Sequence, residues 1–255
     1  MSPLKQQVTA EIEWFLSQLP DLTPQTYRKA EYDLAKKVSA TIDKQLEFNI
    51  LEIESRIKNE VSNAQLNHSQ NNQSQNNEFW SDVGPDVFLT PYPEFYLILK
   101  HLNMKSISKV SDLGAGYGRL GVVLGLFYPG VEFTGYEIVR ERCAQGQMIF
   151  EKLGFTQHQL IEVNLETGKS TDLKPSDLVF IYDFGTARAI RHSLDLLRTI
   201  AQEQPLTVVA RGRRSRDLIE RETPWLSQVV KPTHFPFFSI YRSSDQAATF
   251  VEPSA

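Results

Sequence analysis

The chain has 255 residues and a formal net charge of -4, room for one ordinary domain with an appendage and a balance that argues against a general nucleic-acid coat while leaving space for a local basic groove. Its single cysteine, Cys143, excludes an intrachain disulfide, and its five histidines (His68, His101, His158, His192 and His234) show no metal-ligand spacing. No apolar run approaches a membrane span and Met1 to Gln7 lacks the apolar core of a signal peptide, so a reducing, cytoplasmic setting is the default expectation.

Val8, Ile12, Phe15, Leu16 and Leu19 recur at helical spacing until Pro20, predicting a first amphipathic helix. Thr23 then reads as an N-cap with Pro24 at the first helical position. From Tyr27 through Leu34, Val38, Ile42, Leu46, Ile50 and Ile57 to Val61 the apolar stripe meets no glycine or proline. That pattern predicts one helix of about 38 residues, roughly 57 Å long. A small domain does not cover such a length, which leaves two expectations: a homodimeric seam, or packing within the chain. Asn63 to Asn77 is almost purely amide and serine and cannot offset its ordering entropy, predicting a flexible linker. The expected organisation is a helical arm over 1–62, a polar linker over 63–77 and a domain over 78–255.

Glu78 to Leu89 is aromatic and turn-rich, and Thr90 reads as the cap of a helix from about Pro93 to Leu102. Lys109 to Leu113 is a short strand that runs into Gly114-Ala115-Gly116-Tyr117-Gly118 and an apolar helix from Arg119 through Phe127. Without a Cβ, such a turn lets the backbone approach a ligand closely. The helix N-terminus adds free N–H groups and a partial positive charge. Two registers compete. Gly116 to Gly121 fits the dinucleotide pattern G-x-G-x-x-G, but it leaves Asp112 inside a buried strand, where an unpaired charge is costly. With Gly114 as the first glycine, Asp112 falls at the strand's carboxyl end beside the ligand crevice. Val131 to Ile138 forms the next strand, and Glu137 ends its apolar part about 20 residues past the glycines, where a carboxylate accepts from both hydroxyls of a ribose.

A helix from Arg140 to Leu153 is followed by a third strand, Gln159 to Val163, with Asn164 behind it. Asp177 to Asp183 is a fourth strand, Thr186 to Glu203 a helix and Leu206 to Ala210 a fifth strand. Arg211-Gly212-Arg213-Arg214-Ser215-Arg216 then sets four arginines at a strand's carboxyl end, either to hold an anionic group or as a solvated loop. Phe235 to Arg242 and Ala247 to Val251 read as a closing hairpin around Ser243 to Gln246. The alternation implies a parallel twisted sheet covered on both faces.

Asp112-Leu113-Gly114-Ala115-Gly116-Tyr117-Gly118 resembles motif I of class I S-adenosylmethionine (SAM)-dependent methyltransferases, and the resemblance extends over roughly Phe79 to Val251. It implies an α/β fold, a doubly wound, seven-stranded, mostly parallel Rossmann-like sheet here preceded by the helical arm, with SAM as cofactor. It implies loop contacts to the methionine part from Gly114, Gly116 and Gly118, and Asp112 near its amino group. Glu137 would take the ribose and Asn164 the adenine. Thr90-Pro91 resembles an element that lies over the cofactor in this family, which puts Thr90 at that ligand, with Phe79, Trp80, Phe88 and Tyr92 as an apolar lid.

Asp183 and Tyr92 are expected near the methyl acceptor, Asp183 either acting on it or capping the helix that starts near Thr186. Tyr182-Asp183-Phe184-Gly185 departs from the Asn-Pro-Pro-Tyr type of the enzymes that methylate base amines, which argues against a nucleic-acid acceptor. The arm and the Thr-Pro element resemble protein-lysine methyltransferases, including the Dot1-like group, so a protein side chain and a small molecule are both carried as acceptor. Methyl transfer demands alignment more than a base, and no strong base is evident. Two other readings remain: a non-catalytic SAM- or nucleotide-sensing module with an oligomerising arm, and an NAD-dependent oxidoreductase.

Overall fold

The computed structural model describes residues 2–68, 89–169 and 172–247. Its centre is a seven-stranded sheet of order β3-β2-β1-β4-β5-β7-β6. The strands are β1 (Lys109–Leu113), β2 (Glu132–Glu137), β3 (His158–Glu162), β4 (Leu178–Tyr182), β5 (Thr207–Arg211), β6 (Thr233–His234) and β7 (Phe238–Arg242). The first five are parallel, and β7 enters antiparallel between β5 and β6. This is the doubly wound, mostly parallel sheet expected, and its order reverses between β1 and β4. A crevice outside the carboxyl ends of those two strands is where such sheets bind ligands.

Alternate residues of the strands feed two cores, as a period of two requires. Phe180 of β4 and Val209 of β5 pack on one face, with α4 (Tyr92–Lys100), α5 (Arg119–Phe127) and α6 (Arg140–Lys152). Val179, Ile181, Val208 and Ala210 pack on the other, with α7 (Ala187–Glu203), α8 (Arg213–Glu222) and α9 (Pro224–Ser227).

The N-terminal region differs from the single long helix expected. Helix α1 (Pro3–Ser17) is followed by α2 (Lys29–Leu46) and α3 (Ile50–His68). Thr23 caps one turn only, accepting from the Thr26 N–H at 3.3 Å, and α2 begins six residues later, where the Arg28 N–H donates to Glu31 at 2.8 Å. The break before α3 needs neither glycine nor proline. Glu47 adopts a left-handed conformation (φ 61), its N–H bonds Lys44 O at 3.2 Å and the Phe48 N–H bonds Asp43 O at 2.9 Å. This is a Schellman end built on a non-glycine residue, at a cost of roughly 1–2 kcal/mol. Burial of Phe48 edge-on against Tyr117, centroids 5.8 Å apart, offsets it.

Val8, Ile12, Phe15, Val38, Ile42, Leu46 and Ile53 join the same apolar core as α4 and the sheet, so much of the apolar stripe is covered within the chain, the second of the two expectations. Helix α3 runs through His68, six residues into the stretch read as linker; residues 69–77 lie outside the described residues. So do Phe79, Trp80 and Phe88 of the proposed lid. β7 takes Thr233–His234 as an antiparallel partner; the hairpin expected with Ala247 to Val251 lies outside the described residues except for Ala247. Among the described residues no helix is long and apolar enough to cross a membrane.

Candidate cofactor crevice

Strand β1 ends at Leu113, so the glycine loop begins at Gly114 and Asp112 occupies the strand's last but one position. The loop turns on three left-handed glycines, Gly114 (φ 80), Gly116 (φ 55) and Gly118 (φ 74). A side chain at Gly114 would strike Phe184, and one at Gly118 would meet Phe150 at 2.7 Å. At Gly116 a Cβ would meet only a Leu89 methyl, at an ordinary contact distance of 3.8 Å, among the described residues. The Gly114 and Ala115 N–H groups both bond Tyr136 O, at 2.8 and 2.9 Å, which ties the loop to β2. Helix α5 then starts from Gly118 with no side-chain cap, leaving first-turn N–H groups for a ligand.

Asp112 is 5% exposed, and no hydrogen bond to its carboxylate is formed by any described residue. Burial, and then the Glu137 carboxylate, push its pKa up to about 8. The Tyr182 hydroxyl, at the end of β4 across the switch point, is also buried without a partner. Burial holds it protonated, and Asp112 is among the charges acting on it. An acceptor-capable carboxyl and an orphaned donor therefore face the same point of order reversal. Unsatisfied buried polar groups cost about 1–3 kcal/mol each, which a polar ligand would relieve.

Glu137 is buried at the end of β2. One oxygen accepts the Gly116 N–H at 2.9 Å and the other the Ile138 and Val139 N–H groups, both at 3.0 Å. Three of about four acceptor positions are thus used on backbone, leaving capacity for one ligand hydroxyl rather than two. Arg142 approaches Glu137 at 3.5 Å and is held in turn by Glu54 of α3 through two bonds of 2.9 Å. The Tyr117 hydroxyl donates to the same Glu54 at 2.7 Å. The arm therefore grips the glycine loop from behind.

Asn164 is exposed and its Oδ1 accepts the Glu166 N–H at 2.9 Å, an Asx turn that leaves its amide N–H groups outward. Thr90 is buried and does not cap α4, whose cap position is Pro91; its carbonyl accepts from Arg119.

The two residues expected at the acceptor both have partners within the fold. Tyr92 is fully buried under the arm, donating to Asp43 Oδ1 at 2.8 Å, with the Arg119 guanidinium 5.0 Å over its ring. Arg119 closes this cluster by pairing with Asp43. Asp183 accepts from the Arg214 N–H at 3.1 Å, the Ser215 N–H at 2.7 Å and the Ser215 hydroxyl at 2.7 Å. It caps α8, while Thr186 itself caps α7 through the Ala189 N–H. Both engagements have one cause: a carboxylate or phenol at a buried junction is satisfied first by the nearest chain groups.

Sequence reasoning missed Asp43, Glu54, Arg142 and Tyr182, and it missed Glu94, which is fully buried and holds Arg211 at 2.6 Å with the Tyr27 hydroxyl at 3.3 Å. A signal existed for two of them. Arg119 is a cation at a helix start, where the macrodipole disfavours it without a carboxylate, and Glu94 is a charge inside an apolar helix.

No protein-family model matches the chain, and no curated protein does. Solved structures do show likeness. One is the N-terminal domain of EvdMO1 with SAH bound, 19% identical with a TM-score of 0.39, over 48% of each chain. Another is a putative caffeoyl-CoA O-methyltransferase from Staphylococcus aureus, 13% identical with a TM-score of 0.44, over 58% of this chain and 82% of that one. A third is the mitomycin 7-O-methyltransferase MmcR, 16% identical with a TM-score of 0.43, over 59% and 52%. The chain spans about half the length of the EvdMO1 domain structures that it matches. At these identities the likeness is one of fold.

Proposed function

We propose that this chain is a SAM-dependent methyltransferase that binds its cofactor at the β1–β4 switch point. The observation that carries the reading is Asp112: a buried carboxylate with no donor among the described residues, two residues before a loop of left-handed glycines. A cationic amino-acid tail answers both features, since its ammonium would ionise Asp112 and its carboxylate would meet N–H groups at the start of α5. A nicotinamide dinucleotide offers a diphosphate to the loop but no ammonium N–H donor to Asp112. Glu137 would accept one ribose hydroxyl beside its three backbone donors, and Asn164 would offer its free amide N–H groups to the adenine ring. When bound, SAM supplies an electrophilic methyl group on a sulfonium. The chain's own part is to align the acceptor and exclude water.

A second reading, a SAM-sensing module without transfer, is favoured by one observation: Asp183 and Tyr92 are both engaged within the fold. Calorimetry with SAM, its demethylated product and NAD tests the cofactor; NAD binding with SAM excluded would refute it. Incubation with methyl-labelled SAM and cell extract then separates enzyme from sensor, and the labelled component reveals whether the acceptor is a protein or a small molecule.

A further inference from the structure

Helix α3 of the arm turns one face to the domain. Ile50, Ile53, Glu54 and Ile57 share that face at helical spacing, and the three isoleucines pack on the apolar core. Glu54 is thereby carried to the back of the glycine loop. Its Oε1 accepts from Arg142 Nε and its Oε2 from Arg142 Nη2, both at 2.9 Å. The Tyr117 hydroxyl donates to Oε1 as well, at 2.7 Å, and Arg142 is among the groups that act on that hydroxyl. With side chains 17% and 27% exposed, Glu54 and Arg142 form a pair that salt screens little.

Arg142 meets two carboxylates and offers them unequal edges. Glu54 takes the Nε–Nη2 edge, a planar fork that matches both carboxylate oxygens. What approaches Glu137 is Nη1, 3.5 Å from Oε1 and too far for a good hydrogen bond. That oxygen already accepts the Ile138 and Val139 N–H groups, whereas Oε2 accepts one, from Gly116. The open acceptor position of Glu137 is therefore on Oε2. A guanidinium released by Glu54 would close on Glu137 with its fork, engage both oxygens and fill that position.

We propose that Glu54 is a positioning residue for nucleoside binding: by engaging the fork of Arg142, it reserves the last acceptor position of Glu137 for a ligand hydroxyl. This rests on the reading of Glu137 as the ribose acceptor. Glu54 acts through Arg142 and needs no ligand contact of its own. The arm thus tunes the crevice electrostatically, and the apolar face of α3 fixes where its carboxylate stands.

Calorimetry of the full chain with the demethylated product of SAM, and with an analogue of it lacking both ribose hydroxyls, tests the proposal. Wild type should prefer the hydroxylated ligand by about tenfold, the worth of one bond to a charged acceptor. Glu54→Gln keeps the side chain's shape and removes its charge. It should cut the preference to about twofold and leave affinity for the dideoxy analogue unchanged. Adding Arg142→Gln to Glu54→Gln should recover the preference, since no guanidinium then competes for Glu137. A merely structural role would weaken both ligands alike, and the second substitution would recover nothing. Arg142→Gln alone should keep the preference, which carries the test if Glu54→Gln does not fold. Full preference in Glu54→Gln, equal weakening of both ligands, no recovery in the double variant, or loss of preference in Arg142→Gln would overturn the proposal and leave the cofactor reading intact. Equal binding of the two ligands by wild type would remove the ribose role of Glu137 and the proposal with it, and binding of neither would overturn the cofactor reading as well.

Discussion

At the carboxyl end of β1 the buried carboxylate Asp112 has no donor among the described residues, whereas at the end of β4 the carboxylate of Asp183 accepts three. The two strands are neighbours in the sheet and present their ends to the same crevice. The contrast continues outward. Beyond β1 a Cβ at Gly116 would make no clash among the described residues, while beyond β5 the Arg211 guanidinium is locked to Glu94 and flanked by the rings of Tyr32 and Tyr182, each 5.5 Å away. A polar group at the ligand end of a parallel sheet is thus no guide to function by its type alone. What distinguishes recognition from architecture is whether the chain has already satisfied it.

The comparison can be broken from the architectural side first. Glu94→Ala leaves Arg211 largely buried beside the Tyr32 and Tyr182 rings without its carboxylate, and it should cost about 3 kcal/mol in denaturant unfolding. SAM affinity of the folded variant should be unchanged. Asp183→Ala removes the cap of α8 and should cost about 2 kcal/mol, with the rate per folded molecule unaltered. A collapse of rate at undiminished stability would return Asp183 to the acceptor and erase the contrast.

Much of this was legible in the residues. Period-two and period-3.6 patterns gave every strand of the parallel sheet within a few residues, and the strand end at Leu113 bore out the register that starts the loop at Gly114. The break between α2 and α3 was not legible, because a Schellman end on Glu47 carries no glycine and is set by burial of Phe48 against Tyr117, some 70 residues away. The engagement of Asp183 and Tyr92 within the fold was not legible for the same reason. Their partners, Ser215 and Asp43, are brought in by tertiary packing, and local sequence says nothing of them. The open groups were easier: Asp112 was singled out from strand length and loop register alone.

On the recognition side, Asp112→Asn should have the opposite profile to Glu94→Ala. It removes a buried carboxyl group that pays for its burial without a partner, so unfolding stability should hold or rise at neutral pH. SAM binding should weaken by about 1–3 kcal/mol, the worth of a charge-assisted bond, with the demethylated product losing as much because it carries the same amino-acid tail. Equal affinity of Asp112→Asn and wild type would place the cation elsewhere and leave Asp112 as a buried oddity.

The smallest effect is the most diagnostic, because it depends on the sign of a shift. Asp112 has its folded pKa raised from 3.8 to about 8, so between those values the folded chain holds a proton that the unfolded chain releases. Without ligand, stability therefore declines as pH rises across that window. An ammonium docking on the ionised form expels the proton, so SAM affinity should rise with pH below about 8, by at most about tenfold per unit. The rise should end where the α-amino group of the ligand itself begins to titrate, near pH 7.7–8.0. Calorimetry in two buffers of different ionisation enthalpy would show release of close to one proton at pH 6, and Asp112→Asn should abolish both the release and the slope. A flat profile in the wild-type chain would mean that the carboxyl stays neutral on binding and acts as a donor, and the β1 end would then recognise an anion where a cation is expected.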